Sequence, residues 1–366
     1  MQILKTIVVR NFLFYHQNSK NTMKKQGNKN KTNFFKKIFI KICRKLGYEI
    51  IDQNNFLVPT QNKNLNEDLS IQGKKSINLP LGEIKISRKV NSFTVIFRSC
   101  TSINMLTQNK KRLFDKEKSE YTFRSLNSII KSLNHSKKTF PKIAFDIIVI
   151  DHNSKSEDLN KIKDQLNKSN INNSIISLNM NEFINNIKKI NSKNENVTEN
   201  QMSNMSNIHK SLILAKNKSN DLIYLVEDDY LHIKETFNEM ILTYERISSL
   251  LNKELILCPA DYPYLYTKMD SSNIFLGNNR HWRRIEETLC TFCTSRIIIN
   301  KYWDKFVSMC QFEHYPFEQP LHEIYKSEYC LSPIPSLTIH CTNVNSIFGL
   351  SPNVDWKEIW DQNNDY

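Results

Sequence analysis

Glycine is scarce, with six among 366 residues. Neither G-x-G-x-x-G nor G-x-x-x-x-G-K-[ST] occurs, which excludes the two glycine loops that close a backbone around a dinucleotide or a nucleoside triphosphate. Long apolar runs are missing too. No segment reaches the ~18–20 uncharged apolar residues of a membrane-crossing helix. Met1–Tyr15, interrupted by Lys5 and Arg10 and lacking a small-residue cleavage site, makes a poor signal peptide. Met23 precedes a second lysine-rich start and is an alternative point for translation to begin. Eight cysteines do not make a disulfide scaffold in a chain of this length. Cys290-Thr-Phe-Cys293 lacks the second pair that a zinc site needs, so it reads as buried thiols in a strand. A reducing compartment, the cytoplasm, is the simplest setting.

Positive charge is present, but it is local. Residues 1–50 hold 12 Lys/Arg and one acid, whereas the other 316 hold 39 and 36. A nucleic-acid-binding body would spread its basic excess over the fold, so no nucleic acid partner is expected. Asn33 to Gly47 predicts a helix, capped by Asn33 and ended by Gly47. Phe35, Ile38, Phe39, Ile42 and Leu46 share one stripe, and Lys36, Lys37, Lys41, Arg44 and Lys45 lie away from it. Residues 33–47 therefore suit an anionic membrane surface, which would place the protein peripherally on the cytoplasmic membrane face. The alternative is a helix whose stripe docks on the main domain. The expected division is a basic arm over 1–60, an unassigned connector over 61–90, a main domain over 91–345 and a C-terminal tail over 346–366.

From Phe93 the pattern alternates. Phe93–Arg98 and Phe145–Ile150 read as strands with a helix over Tyr121–Leu133 between them. Ser174–Leu178 reads as a third strand, 191–204 as a polar loop and 207–217 as a helix. Leu222–Val226 is then a strand buried on both faces, and a helix beginning near Ile233 has a clear apolar face. This is the order of a three-layer α/β domain. The second half has more strands and fewer helices: strands over Leu255–Cys258, Asn273–Leu276, Thr288–Arg296 and Leu337–His340, with helices over Ile299–Met309 and Pro320–Lys326.

Leu222–Val226 runs directly into Glu227-Asp228-Asp229. Open α/β sheets place their ligands at the carboxyl edge of the strands, and three adjacent carboxylates call for a cation. A hard divalent ion shared with substrate phosphates fits; an acidic first helix turn is the alternative. Strand 145–150 likewise runs into Asp151-His-Asn-Ser154. Phe317-Glu-Gln-Pro-Leu-His-Glu323 offers acids on a short helix, and His340 closes the last strand as either a metal ligand or a satisfied strand-end histidine. Arg280-His-Trp-Arg-Arg284 reads equally as a diphosphate or acceptor contact and as a solvated basic loop.

In this order the motifs, spanning about residues 91–345, resemble a GT-A glycosyltransferase of the family 2 group. Asp151-His-Asn-Ser154 stands where that group has Asp-Asp-Gly-Ser, and Glu227-Asp228-Asp229 stands at the D-x-D motif. The chain departs in having Arg98-Ser-Cys-Thr101 for Pro-x-Tyr-Asn and no Glu-Asp pair in the base helix. The resemblance implies a three-layer α/β/α domain with a mixed sheet, and a metal-dependent, inverting transfer from a nucleotide-diphosphate sugar to a glycan or lipid-linked acceptor. It implies Mn²⁺ or Mg²⁺ on Asp229, Glu227 and His340. Donor contacts would come from Arg98, Asp151, Glu227, Asp228, Arg280, Trp282 and Arg283, and the base would be Glu318 or Glu323. A nucleotidyltransferase, or a non-catalytic carbohydrate-binding or scaffold protein, is the alternative on the same fold.

Overall fold

The computed structural model describes residues 34–48, 85–102, 113–267, 271–342 and 346–366. The expectations for Met1–Tyr15, for a start at Met23 and for the 61–84 part of the connector lie outside them. The chain divides into a unit within Met1–Glu83 and a second, Ile84–Tyr366. In the first unit, helix α1 spans Phe34–Lys45 with Arg44 and Lys45 in its last turn. Gly47 takes a left-handed φ of 87°, which lets Tyr48 N–H reach back to Cys43 O at 2.9 Å and closes the helix.

The second unit is built on one nine-stranded sheet in the order β3-β2-β1-β4-β9-β6-β10-β8-β7. Its first half, β1 (Ser92–Ser99), β2 (Ala144–Asp151), β3 (Asn172–Ser177) and β4 (Leu222–Glu227), is wholly parallel. Every position of β1 is buried, as an apolar strand covered on both faces requires. Three helices connect these strands: α2 (Lys118–Thr139), α3 (Ser156–Lys168) and α4 (Glu199–Lys218). Together with α5 (Thr236–Leu251) they give the helical cover. Helix α4 starts well before the expected 207, inside the stretch read as a loop. The reason is a capping box: the Thr198 side chain accepts from Gln201 N–H while the Gln201 side chain accepts from Thr198 N–H.

The second half is mixed. β9 (Phe292–Ser295) runs antiparallel between β4 and β6 (Leu255–Leu257). β10 (Tyr329–Ile334) is parallel to β6, and β8 (His281–Arg284) and β7 (Ile274–Leu276) complete the edge. The mixed three-layer architecture implied by the motifs is therefore present. The strand expected over Thr288–Arg296 is shorter because Leu289 and Cys290 take φ of 52° and 56°, which no strand accommodates. The helix expected over Ile299–Met309 is two, α6 (Arg296–Lys301) and α7 (Trp303–Gln311), and α8 spans Gln319–Ser327. The last expected strand is β11 (Thr338–His340), which leaves the main sheet and pairs with β5 (Tyr230–His232). Because β5 follows the three acids, they occupy a strand-to-strand turn, and the acidic helix-start alternative does not hold.

Residues 346–366, the C-terminal tail, fold onto α2. Helix α9 (Trp356–Asp361) stacks Trp360 on Phe114 with ring centroids 3.8 Å apart. Arg124 of α2 donates to Trp360 O at 2.6 Å and to Asn364 Oδ1 at 2.7 Å.

Candidate active site

The site grows from the carboxyl edge of the parallel strands. Register sets Arg98 beside Glu227, and Arg98 Nη2 donates to Glu227 Oε1 at 2.8 Å. Asp228 turns to α2. It accepts from Lys118 Nζ at 2.8 and 3.0 Å, from Thr122 Oγ1 at 2.9 Å and from Cys100 N–H at 3.1 Å. Asp229 faces the β5–β11 ribbon. Its carbonyl accepts from Cys341 N–H, which brings His340 alongside, with Nε2 3.5 Å from Asp229 Oδ2. His340 Nδ1 lies 2.9 Å from Phe348 O, and its ring stacks on Tyr230 at 4.5 Å. A carbonyl on Nδ1 holds the proton there in the neutral ring, so that Nε2, on the side of the acids, carries the lone pair that a metal would take.

One ligand atom from each of Glu227, Asp229 and His340 lies within 4.8 Å of the others. Two carboxylate oxygens and an imidazole nitrogen are a donor set for a hard-to-borderline divalent ion. The charges confirm the crowding. Burial raises the Glu227 carboxyl above its ordinary value, against the pull of Arg98, and the neighbouring acids add to it. Burial opposes the Lys118 ammonium, yet Asp228 and Asp229 hold its pKa above the ordinary value. His340 is likewise opposed by burial and raised by Asp229 and Glu227.

These groups open into a cavity of about 480 Å³ that also receives Glu318, Glu287 and His322 from the mixed half and the polar face of α4. Glu318 is buried at the start of α8. It accepts from Thr288 N–H at 2.8 Å, Thr288 Oγ1 at 2.6 Å and Cys290 N–H, and so holds the left-handed 289–290 turn.

Six of the eleven expected site residues line this cavity: Arg98, Glu227, Asp228, Asp229, Glu318 and His340. Five do not. Asp151 accepts from Ser99 Oγ at 2.8 Å and Ser154 N–H at 3.3 Å, tying its own turn, and its neighbour His152 lines the cavity instead. Residues 281–284 are strand β8 and Arg280 closes the turn before it, so the cations and indole of this segment serve packing. Arg280 donates to Pro335 O at 2.8 Å, and Trp282 is fully buried with Nε1 3.2 Å from Glu239. Arg283 pairs with Asp261 and covers the Tyr266 ring. Glu323 is exposed and paired with Lys305, which pulls its carboxyl below the ordinary value. Sequence reasoning missed Lys118, His152, Glu287, His322 and the α4 face. Only the last left a signal, since Asn200, Ser203, Asn204 and Asn207 recur at i, i+3, i+4 and i+7.

No family model matches the chain, and no curated protein matches it. Among solved structures, similarity is found to the galactosyltransferase LgtC in complex with donor and acceptor sugar analogs, at 9% identity and a TM-score of 0.30, over 59% of this chain and 64% of that one. The inositol-1-phosphate CTP transferase from T. maritima aligns at 8% identity and a TM-score of 0.36, over 76% and 98%. The bifunctional glycosyltransferase WbbM aligns at 9% and 0.30, over 65% and 36%. The chain thus spans under two thirds of the length of LgtC.

Proposed function

We propose that the protein is a metal-dependent glycosyltransferase that moves a sugar from a nucleotide-diphosphate sugar to a glycan or lipid-linked acceptor with inversion at the anomeric carbon. The observation that carries this is the convergence of Glu227, Asp229 and His340 on the lining of a cavity that also holds the carboxylates of the mixed half. A divalent ion there, Mn²⁺ or Mg²⁺, would neutralise the charge that builds on the departing nucleoside diphosphate. Lys118 keeps Asp228 off the ion, so Glu227 and Asp229 supply the carboxylate ligands. Arg98 steadies Glu227 through its 2.8 Å pair.

The acceptor hydroxyl must lose its proton to a carboxylate in the cavity. Glu323 lies outside it. Glu318 lies inside, but its oxygens already gather Thr288 and Cys290. Glu287, half-buried in the same cavity, is assigned as the base, and Glu318 as the group that positions it. A nucleotidyltransferase would need no carboxylate on this second wall, so the wall favours sugar transfer. Thermal stabilisation by nucleotide sugars with and without Mn²⁺ tests the reading: a Mn²⁺-dependent rise is expected, and no shift with any nucleotide sugar refutes it.

The basic helix supports a second element of the proposal, attachment of residues 33–47 to an anionic membrane surface on the cytoplasmic side. Among the described residues no helix is long and apolar enough to cross a membrane. Phe35, Ile38, Phe39 and Ile42 are exposed on α1, and each basic residue near an anionic surface contributes about 1 kcal/mol. Deleting residues 1–50 should release the protein from phosphatidylserine vesicles in co-sedimentation; a full-length protein that fails to bind them at low salt excludes the attachment.

A further inference from the structure

We infer that Lys118 binds the donor's diphosphate, its ammonium meeting a phosphate beside the ion that Glu227 and Asp229 would hold; this rests on the nucleotide-sugar reading above. An ammonium has three N–H donors. Lys118 Nζ gives two to Asp228, at 2.8 Å to Oδ1 and 3.0 Å to Oδ2, and no acceptor among the described residues takes the third. The side chain is not sealed off: it keeps 13% of its exposure and lines the cavity. The charge of Asp229 reaches it as well and, with Asp228, keeps the ammonium protonated against burial.

The other cations are occupied elsewhere. Arg98 lines the cavity too, but it pairs with Glu227, and its Nε and Nη1 are closed to solvent. Arg280, Arg283 and Arg284 are held by Pro335 O, by Asp261 and by the carbonyls of Tyr325 and Lys326. Among the described residues, Lys118 is therefore the one lysine or arginine on the lining with a donor left for a ligand. The charge balance calls for it. Five carboxylates line the cavity, from Glu227, Asp228, Asp229, Glu287 and Glu318. Arg98 and a divalent ion offset three of these charges, and a diphosphate then brings more. A cation in contact with that diphosphate matters most as charge builds on it while the sugar departs. The competing account is a counter-ion that serves Asp228 alone. The two accounts part once Asp228 is made neutral.

The test is a double-mutant cycle on the full-length protein, read by the binding of UDP, GDP, CDP and ADP in the presence of Mn²⁺. For a diphosphate that the unaltered protein binds, Lys118→Met should weaken binding about tenfold or more, the worth of a hydrogen bond to a charged group. The same factor should appear on the Asp228→Asn background. Mn²⁺ binding without nucleotide, followed by the free-ion EPR signal, should be unchanged or tighter, because a positive charge beside the acids has gone. If Lys118→Met alone fails to fold, the Asp228→Asn background, which leaves no unpaired carboxylate, carries the comparison. Diphosphate binding that survives Lys118→Met overturns the inference. So does a loss seen only with Asp228 intact, or a loss of diphosphate binding that Mn²⁺ binding shares. In each of these cases Mn²⁺-dependent diphosphate binding by the unaltered protein leaves the donor reading standing. Absence of Mn²⁺-dependent binding of all four diphosphates removes both.

Discussion

In the parallel half of the sheet, site residues are placed by strand register; in the mixed half they are placed by buried carboxylates that collect backbone N–H groups from loops. Arg98 meets Glu227 because β1 and β4 are adjacent and in step. Nothing comparable orders the other wall. There Glu318 gathers Thr288 and Cys290 around a left-handed turn, and Glu239 accepts from the N–H groups of Asn278, Asn279 and Arg280 at the β7–β8 turn. Left-handed positions cost non-glycine residues of order 1 kcal/mol or more, so Leu289 and Cys290 stay in place only because their surroundings require it. A ladder spreads its hold over many hydrogen bonds, whereas a collecting carboxylate concentrates it in one side chain. The two walls should therefore differ in how a single-atom change is felt.

The largest effect expected is on the register-built wall, where changing a ligand should remove chemistry and leave the fold intact. Asp229→Asn should lower transfer on the order of 10³-fold and abolish Mn²⁺-dependent nucleoside diphosphate binding. Turnover close to that of the unaltered protein, measured by product release, would place the metal elsewhere.

On the opposite wall, Gln substitutions should separate a chemical from a supporting carboxylate. Glu287→Gln should lose ~10²–10⁴ in turnover with an unchanged melting temperature. Glu318→Gln replaces one carboxylate oxygen with an amide NH2, so that either Thr288 N–H or Cys290 N–H loses its acceptor, and should cost about 1–3 kcal/mol of stability. If Glu318→Gln melts normally yet is inactive, the two roles are reversed.

The β5–β11 ribbon beside the parallel half should carry an acid sensitivity. His232 in β5 is buried between Ser128 and Tyr224, with nitrogens 3.1 and 2.9 Å from their hydroxyls, and burial pushes its pKa down to about 3. Below the ordinary value of 6.5 the unfolded chain takes up a proton that the folded chain refuses. This contribution to stability is therefore present above pH 6.5 and is lost as pH falls toward 3. Between pH 6.5 and 5 the loss is about 2 kcal/mol. Denaturant unfolding at pH 7 and 5 should show it, and His232→Gln should flatten it; an equal slope in both proteins would assign the acid sensitivity to other groups.

The smallest effect concerns the sheet edge. A Cβ on Gly277 would stand 2.5 Å from Thr243 Oγ1 and from the Trp282 indole. Gly277→Ala should cost about 1–3 kcal/mol by overpacking, with nucleotide affinity retained because β8 lies outside the cavity. Loss of nucleotide binding in a folded Gly277→Ala protein would mean that the edge and the cavity are coupled.

The difference between the halves also explains what was legible beforehand. β1, β2 and β4 are continuous apolar runs, so their positions and the acids at their ends could be read directly. Arg280–Arg284 could not, because its clustered cations look like a solvated loop until Pro335 O is seen to take Arg280, Asp261 to take Arg283 and Glu239 to take the Trp282 indole. β10 was missed because Ser332-Pro333 breaks the apolar pattern. Lys118 was invisible for another reason: its partner Asp228 is 110 residues away, and pairing over that distance leaves no local pattern.

The docking of residues 356–366 on α2 has a bearing on the order in which the protein becomes competent. Lys118, which restrains Asp228, is the first residue of α2, and Arg124 of that helix is anchored by Trp360 and Asn364. These anchors follow every strand of the sheet in the chain. A nascent chain can thus assemble its parallel strands while the helix that braces its acids still lacks its outer brace, and a chain cut short before Trp356 would keep its sheet without the Arg124 anchors.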